Sequence, residues 1–361
     1  MLTIESLNHL GLGRASDGQS VLPRVLPGEE VDVTQDGTVR IVTPSADRVA
    51  APCRHFKSCG GCAMQHANDD FVAAWKQDIV QNALQARGLE TEFRPIATSP
   101  SQSRRRAKFS GRRTKKGAMV GFHSKGSVVL VAVPDCQLVT PKLKTCLPAL
   151  EGLTVLACSR KGEIDLTVTE TAVGPDVLIS TDKDLTPQLR IELAALANQH
   201  GLARLVWNDE PVVMITPPAL DFGGTKVTPP PGAFLQATKH GEHTLLAAVD
   251  EITNKASKII DLFAGCGTFT LPLAKRAEVH AVEGESTMLS ALARGWREGQ
   301  QLRKVTTETR DLFRRPLEAD ELRNYDAVVI DPPRAGAEAQ IETLASSAIK
   351  TIAMVACKPA A

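Results

Sequence analysis

No run of apolar residues in this chain approaches membrane-spanning length; the best, Val128 to Val133, is only strand-sized. No membrane partner is therefore expected. The opening residues Met1-Leu2-Thr3-Ile4-Glu5 lack a basic region and a long apolar core, so no signal peptide is expected and a cytoplasmic protein follows. In that compartment the eight cysteines are not expected to form disulfides. Net charge is nearly absent, at +1, which leaves nucleic-acid binding open because a local patch can hide in a neutral total. Internal repeats and low-complexity tracts are missing too. What remains is the composition of a globular protein, 43% hydrophobic and 23% charged over 361 residues, enough for two or three domains.

Residues 1–52 read as short strands separated by turns at Gly11-Leu12-Gly13, Asp17-Gly18, Pro27-Gly28 and Asp36-Gly37. Even spacing of such turns suggests a small OB-like β-barrel. Residues 53–220 form a mixed α+β central region. In it, Phe71, Trp75, Ile79 and Ala83 recur at helical spacing and predict a helix from Asp69 to Arg87, with Gly88 as its stop. A second helix is expected around Pro187 to Asn198. Residues 221–361 read as a third region, in which strict alternation begins at about Leu235. Strands are expected at Lys258 to Phe263, Val279 to Glu283, Tyr325 to Ile330 and Thr351 to Ala356. Helices are expected at His243 to Ile252, Ser286 to Glu298 and Ala337 to Ser347. That alternation predicts an α/β, Rossmann-like doubly wound parallel sheet.

Cys53-x5-Cys59-x2-Cys62 places three thiols within ten residues. Soft thiolates at this spacing suit zinc or an iron–sulfur cluster, and spacing alone leaves the two open. A fourth ligand is needed. Cys136, after a strand and a proline turn, is the best candidate, with Cys146 and Cys158 as alternatives.

Residues 104–116 hold eight basic residues in thirteen and no acid. In a strand, Arg106 and Lys108 share one face while Ala107 and Phe109 turn to the core. A basic run is usually a solvated face; the lack of any compensating acid favours phosphate contact, with Arg104, Arg105, Arg106 and Lys108 as RNA-binding candidates.

Asp261-Leu262-Phe263-Ala264-Gly265-Cys266-Gly267-Thr268 is a strand end, a glycine turn and a helix start. A third glycine is missing, which argues against a dinucleotide fingerprint. Glu283 ends the next strand, where it can bind ribose hydroxyls, and Asp311 follows the third, where it can reach an adenine amino group. This order of acids fits S-adenosylmethionine better than NAD. Asp331-Pro332-Pro333-Arg334 follows the fourth strand, in a position to line a base pocket.

Taken together, these residues resemble the RNA uracil-5-methyltransferases, in particular the iron–sulfur branch that modifies 23S rRNA, over nearly the whole chain. The resemblance implies a TRAM domain at the N-terminus and a [4Fe–4S] cluster on Cys53, Cys59, Cys62 and Cys136. It places Gln236, Phe263, Thr268, Glu283, Asp311 and Asp331 at cofactor-binding positions and Arg334 at the base pocket. In Val355-Ala356-Cys357-Lys358-Pro359-Ala360, similar to the family's nucleophile motif, Cys357 would be the nucleophile. The substrate implied is 23S rRNA, because tRNA-acting relatives lack the cluster; a monomer is expected. Lys358 departs from the Asn or Asp usual at that place. Family members also continue for several tens of residues, supplying two strands and a Glu that acts as general base, and neither follows Cys357 here. The expectation for residues 1–361 is therefore little turnover and accumulation of RNA bound covalently through Cys357. Two other readings are an RNA-binding iron–sulfur protein without turnover and a uracil methyltransferase acting on tRNA or another RNA. A third, an amino-methyltransferase built on Asp331-Pro332-Pro333, would leave Cys357 dispensable.

Overall fold

The computed structural model describes residues 1–160 and 162–357; Lys358, Pro359 and Ala360 of the nucleophile motif lie outside the described residues. Contacts divide the chain into two compact units that are not consecutive blocks of sequence. One holds residues 1–98 and 119–138, the other residues 99–118 and 139–361.

The first unit opens with β1 (Leu2–Leu7), β2 (Leu12–Ala15), β3 (Val21–Pro23), β4 (Glu30–Val33) and β5 (Val39–Thr43). They pair antiparallel in the order β3-β2-β1-β4-β5. The sheet curls into a half-barrel around Ile4, Ala15, Val25 and Val31, and is left open between β3 and β5. The helix expected next is α1 (Asp69–Gln85). Asn68 caps it by accepting from the Phe71 N–H at 2.7 Å, and Asp69 and Asp70 sit in the first turn, where carboxylates favour the helix dipole.

Along the chain, β6 (Arg106–Thr114) is followed by a hairpin of β7 (Gly117–His123) and β8 (Leu130–Ala132). Next come α2 (Pro141–Thr145), α3 (Leu147–Ala157), β9 (Glu163–Thr171), β10 (Gly174–Ser180), α4 (Pro187–Gln199), β11 (Arg204–Trp207) and β12 (Glu210–Met214). In the second unit these strands form a sheet in the order β12-β11-β10-β9-β6, antiparallel except for β10 and β11. Alternate residues of β6 face inward: Ala107 and Phe109 are buried while Lys108 is exposed, as strand periodicity requires. Leu150 and Leu153 of α3, Leu193 of α4 and Trp207 of β11 are fully buried as well. A short hairpin, β13 (Leu220–Phe222) and β14 (Thr225–Val227), leads into the last part of the chain.

There α5 (Lys239–Ile252), β15 (Lys258–Leu262), α6 (Thr270–Leu273), β16 (Glu278–Glu283), α7 (Ser286–Glu298), β17 (Val305–Thr309), β18 (Ala327–Ile330), α8 (Glu338–Ala345) and β19 (Thr351–Met354) alternate as expected. The five strands are all parallel in the order β17-β16-β15-β18-β19. Ala327, Val328, Val329 and Ile330 of β18 are all buried, as in a sheet covered on both faces. The order reverses between β15 and β18, which opens a crevice at their carboxyl ends. Among the described residues no helix is long and apolar enough to cross a membrane.

Candidate functional site

The carboxyl edge of the parallel sheet collects the acidic residues singled out above. Past the end of β15 the chain turns at Phe263, which takes a left-handed backbone with φ 61°. That conformation is rare for an aromatic and costs about 1–2 kcal/mol, the strain of a turn fixed by its surroundings. Gly265 and Gly267 continue the turn at φ 55° and 92°. A Cβ on Gly267 would stand 2.9 Å from the Leu292 side chain, so this glycine lets α7 pack against the loop. The Gly265 N–H donates to Glu283 Oε2 at 3.0 Å, and the Glu285 N–H donates to Glu283 Oε1 at 3.1 Å. Glu283 is thereby held at the end of β16 with its carboxylate oriented. Thr268 is half-buried in the same turn.

Asp331 follows β18 and accepts from Gln236 Nε2 at 3.0 Å, although the two are 95 positions apart. Burial pushes the Asp331 carboxyl up to about 6, against the lowering effect of Gln236. The Val355 N–H donates to the Ile330 carbonyl at 2.9 Å. That bond sets the residues just before Cys357 beside the residue just before Asp331, and Cys357 itself is exposed. Arg334 is exposed as well. Asp311 is exposed after β17 and accepts from the Phe313 N–H at 3.0 Å; the Phe313 ring lies 5.5 Å from that of Phe263. Thus Gln236, Glu283, Asp331 and the glycine turn share one edge of one sheet.

Asp261, the acid ahead of the glycine turn, was given no role of its own above, and the structure places it beneath the same edge. It lies fully buried in β15, one residue before the strand end, and accepts from the Thr270 hydroxyl at 2.5 Å. Its other oxygen, Oδ1, has no partner. Burial, and then repulsion from Asp331 and Glu283, raises its carboxyl to about 7. A carboxylate in the otherwise apolar stretch Ile259-Ile260-Asp261-Leu262 was the available signal. The nearby Cys266 is inert, its thiol pushed up to about 12 by burial.

The basic strand looks different in three dimensions. Its acids come from the neighbouring strand β9: Lys108 pairs with Asp165 at 2.7 Å and Arg112 with Glu163 at 2.6 Å. Exposed pairs of this kind are worth about 0–1 kcal/mol, so a phosphate can displace the acid from Lys108. Arg104 is half-buried. Arg106 donates from Nη2 to the Gly232 carbonyl at 2.8 Å and keeps a buried Nε–H without a partner. Arg105 departs from the expectation of an RNA contact. It is only 8% exposed and is ion-paired to the equally buried Glu242 at the start of α5. Alternation explains the difference: Arg105 precedes β6 on the inward-facing side.

In the first unit, Cys53, Cys59, Cys62 and Cys136 line one cavity with Phe56, Phe122 and Val133. Neither Cys146 nor Cys158 lines it; Cys146 joins α2 to α3, and Cys158 donates to the Gly162 carbonyl. Burial raises the thiols of Cys59 and Cys62, and the neighbouring thiols add to the rise. The Gly61 N–H points at Cys59 Sγ (3.3 Å) and the Leu138 N–H at Cys136 Sγ (3.4 Å). Asp135, next to Cys136, is gripped by His55 at 2.6 Å and Arg54 at 2.9 Å, which ties the two cysteine-bearing segments together. Sequence reasoning missed that clamp. Among the described residues no group of three or more His, Cys, Asp or Glu is placed to hold a metal ion.

The parallel sheet with a glycine turn and acids at its carboxyl edge defines a nucleotide-cofactor α/β fold. No protein-family model matches the chain. An uncharacterized RNA methyltransferase of Rhizobium meliloti is 40% identical over 359 residues, covering 97% of this chain and 86% of that protein. The 23S rRNA (uracil(1939)-C(5))-methyltransferase RlmD of Halomonas elongata is 30% identical, covering 99% of this chain and 81% of its own. Among solved structures, the Pyrococcus abyssi tRNA (uracil-54, C5)-methyltransferase, in complex with S-adenosyl-L-homocysteine, superposes with a TM-score of 0.75 at 18% identity; the match spans 100% of this chain and 90% of that one. The chain belongs to the RNA methyltransferases and has the uracil-C5 methyltransferase fold.

Proposed function

We propose that this protein methylates C5 of a uridine in 23S rRNA, with S-adenosylmethionine as methyl donor and Cys357 as nucleophile. The observation that carries this reading is the Val355–Ile330 backbone bond, which sets the approach to Cys357 beside Asp331 and its partner Gln236. The H. elongata relative, by its name a 23S rRNA uracil methyltransferase, supports the substrate.

The edge suits a cationic ligand. Asp261, Glu283 and Asp331 gather there, and a cation at the edge would relieve the repulsion from Asp331 and Glu283 that helps raise Asp261. Gln236, Phe263, Thr268, Glu283, Asp311 and Asp331 would hold S-adenosylmethionine, which supplies an electrophilic methyl when bound. The Cys357 thiolate adds to uracil C6, forming a C6–S bond and placing electron density on C5. C5 takes the methyl, its proton leaves to a base, and the C6–S bond breaks to restore the ring double bond and free the thiolate. The uridine must leave its stack to reach the edge, with Arg334 bordering the base.

Arg104, Arg106 and Lys108 are the RNA contacts in this reading, Lys108 being the exposed one of the three. The half-barrel serves as a TRAM domain, and the protein works as a cytoplasmic monomer. The cavity of four thiols fits a [4Fe–4S] cluster: the donors are soft, and backbone N–H groups point at two of the sulfurs.

The test is covalent trapping. With labelled 23S rRNA fragments and S-adenosylmethionine, a denaturing gel is expected to show a slow-migrating RNA–protein band that Cys357→Ala abolishes. C5-tritiated uridine should release its label only where turnover is completed. A band that persists in Cys357→Ala sinks the nucleophile assignment. RNA binding with neither band nor tritium release supports a binding protein without turnover.

A further inference from the structure

The segment that carries Gln236 is held at several points by the stretch just before and at the start of β6. The Arg105 N–H donates to the Ala237 carbonyl at 3.0 Å, and Arg105 Nε donates to the Gln236 carbonyl at 3.3 Å. Arg105 Nη2 is ion-paired with Glu242, in the first turn of α5. On either side, Arg104 forms backbone bridges to Thr238 and Val139, and Arg106 Nη2 binds the Gly232 carbonyl at 2.8 Å. Ser99 Oγ meets Thr238 Oγ1 at 2.7 Å. Residues 232–238 are thus bracketed at both ends, and the guanidinium of Arg105 grips the middle.

The grip lies one residue from the chemistry. The Gln236 carbonyl takes Arg105, and the Gln236 side chain reaches Asp331. A guanidinium can serve Glu242 and Gln236 at once because its N–H groups diverge in a fixed plane; an ammonium cannot reproduce that fork. Both charges are nearly excluded from water, at 8% and 3% exposure, so the pair does not exchange with solvent as a surface pair would.

We infer that Arg105 is a positioning residue for the cofactor edge: by clamping the Gln236 carbonyl against Glu242 it fixes the Gln236 side chain on Asp331, and it makes no contact with RNA. The inference rests on the cofactor reading above and adds to it a residue that acts through Gln236. It also gives the basic strand two jobs on two faces, with Lys108 outward for phosphate and Arg105 inward for the cofactor edge.

The measurement is S-adenosylhomocysteine affinity by titration calorimetry, on two variants of the full chain. Arg105→Lys keeps a charge opposite Glu242 but loses the fork. Arg105→Met combined with Glu242→Leu removes the pair and fills its volume, which keeps the fold intact where an unpaired Glu242 would not. Both are expected to bind the probe about tenfold more weakly, the value of one hydrogen bond at the site. Their RNA affinity and its salt slope should match wild type. Gln236→Ala should cost about the same alone, and little more when added to Arg105→Lys, because the two residues act in series. A purely structural role would lower the melting temperature without that non-additivity. Full probe affinity in Arg105→Lys, additive losses with Gln236→Ala, or a reduced RNA salt slope each overturns the inference. Failure of the wild type to bind S-adenosylhomocysteine overturns the cofactor reading instead, and this inference with it.

Discussion

The cysteine cavity of the first unit and the carboxyl edge of the parallel sheet face the same electrostatic problem. Each gathers acidic groups from distant parts of the chain, and burial pushes Cys59 and Cys62 in the one, and Asp261 and Asp331 in the other, toward their protonated forms. They differ in how the groups are held. At the sheet edge, backbone and side-chain donors already occupy Glu283, Asp331 and one oxygen of Asp261. In the cavity the Gly61 and Leu138 N–H groups reach sulfur only at 3.3–3.4 Å, Gln65 bonds the Cys62 thiol, and Phe56, Phe122, Val133 and Leu138 make much of the remaining lining apolar. A carboxylate edge with firm donors persists while ligands come and go. Cys53, Cys59 and Cys62 are half-buried and Cys136 is buried; under the cluster reading proposed above, a bound metal centre would let the four ionise together.

The largest effect expected from that contrast is at the cavity. Cys59→Ser should lose iron, brown absorbance and much of its solubility, because the cluster would tie the segment around Cys53–Cys62 to Cys136 across a long loop. Purified wild type carrying stoichiometric zinc and no iron would break the assignment.

Next comes the pH response of the sheet edge. Unfolded, Asp261 titrates near its ordinary 3.8; folded, near 7. Both states hold the proton below the lower value, so its contribution to stability is fully present there and is lost as pH rises through the higher one. Asp331, raised to about 6, acts in the same direction. Between about pH 5 and pH 8, wild type should lose roughly 3 kcal/mol more than Asp261→Asn, which has no such proton to release. Urea unfolding at both pH values measures this; parallel losses in the two proteins would show that Asp261 is ionised in the fold.

A smaller effect sharpens the cavity side. Gly60 donates its N–H to the His123 carbonyl, and a Cβ there would stand 2.6 Å from that oxygen and 2.9 Å from the Lys125 nitrogen. Gly60→Ala should cost about 1–3 kcal/mol and lower iron content, because backbone atoms cannot yield as a flexible side chain can. Unchanged melting and iron content would show that the cysteine loop tolerates displacement.

The smallest concerns the outer face of β6. Lys108→Ala should lower the slope of RNA affinity against salt by about one unit, with cofactor affinity unchanged. An unaltered slope would leave Lys108 to Asp165 alone.

Much of this molecule is legible in its sequence because it depends on short-range order. Strand–helix alternation from Lys258 to Met354, the glycine turn after β15, and the Cys53–Cys59–Cys62 spacing are all set by periodicity and backbone geometry within a dozen residues. Helix α7 runs from Ser286 to Glu298, as its pattern predicts. Helix α1 ends two residues earlier than expected, at Gln85, since fraying ends are decided by local caps.

Partners across space were not legible. Residues 104–116 contain no acid, yet Asp165 and Glu163 arrive from β9 and Glu242 from α5, the last 137 positions away from Arg105. Composition counted Arg105 with the surface cations; packing turned it inward against Glu242. Sequence context favoured Cys136 over Cys146 and Cys158 without excluding them, and only the folded chain puts Cys136 on the cavity with the other three thiols. Asp261 reads as one acid in a strand until the fold buries it beside Asp331 and Glu283. The sequence by itself determined which elements form, because hydrophobic periodicity and turn chemistry act over a few residues. Tertiary structure alone decided which charges are neutralised and which stay available, because Coulomb energy and desolvation depend on distances through space that no sequence separation encodes.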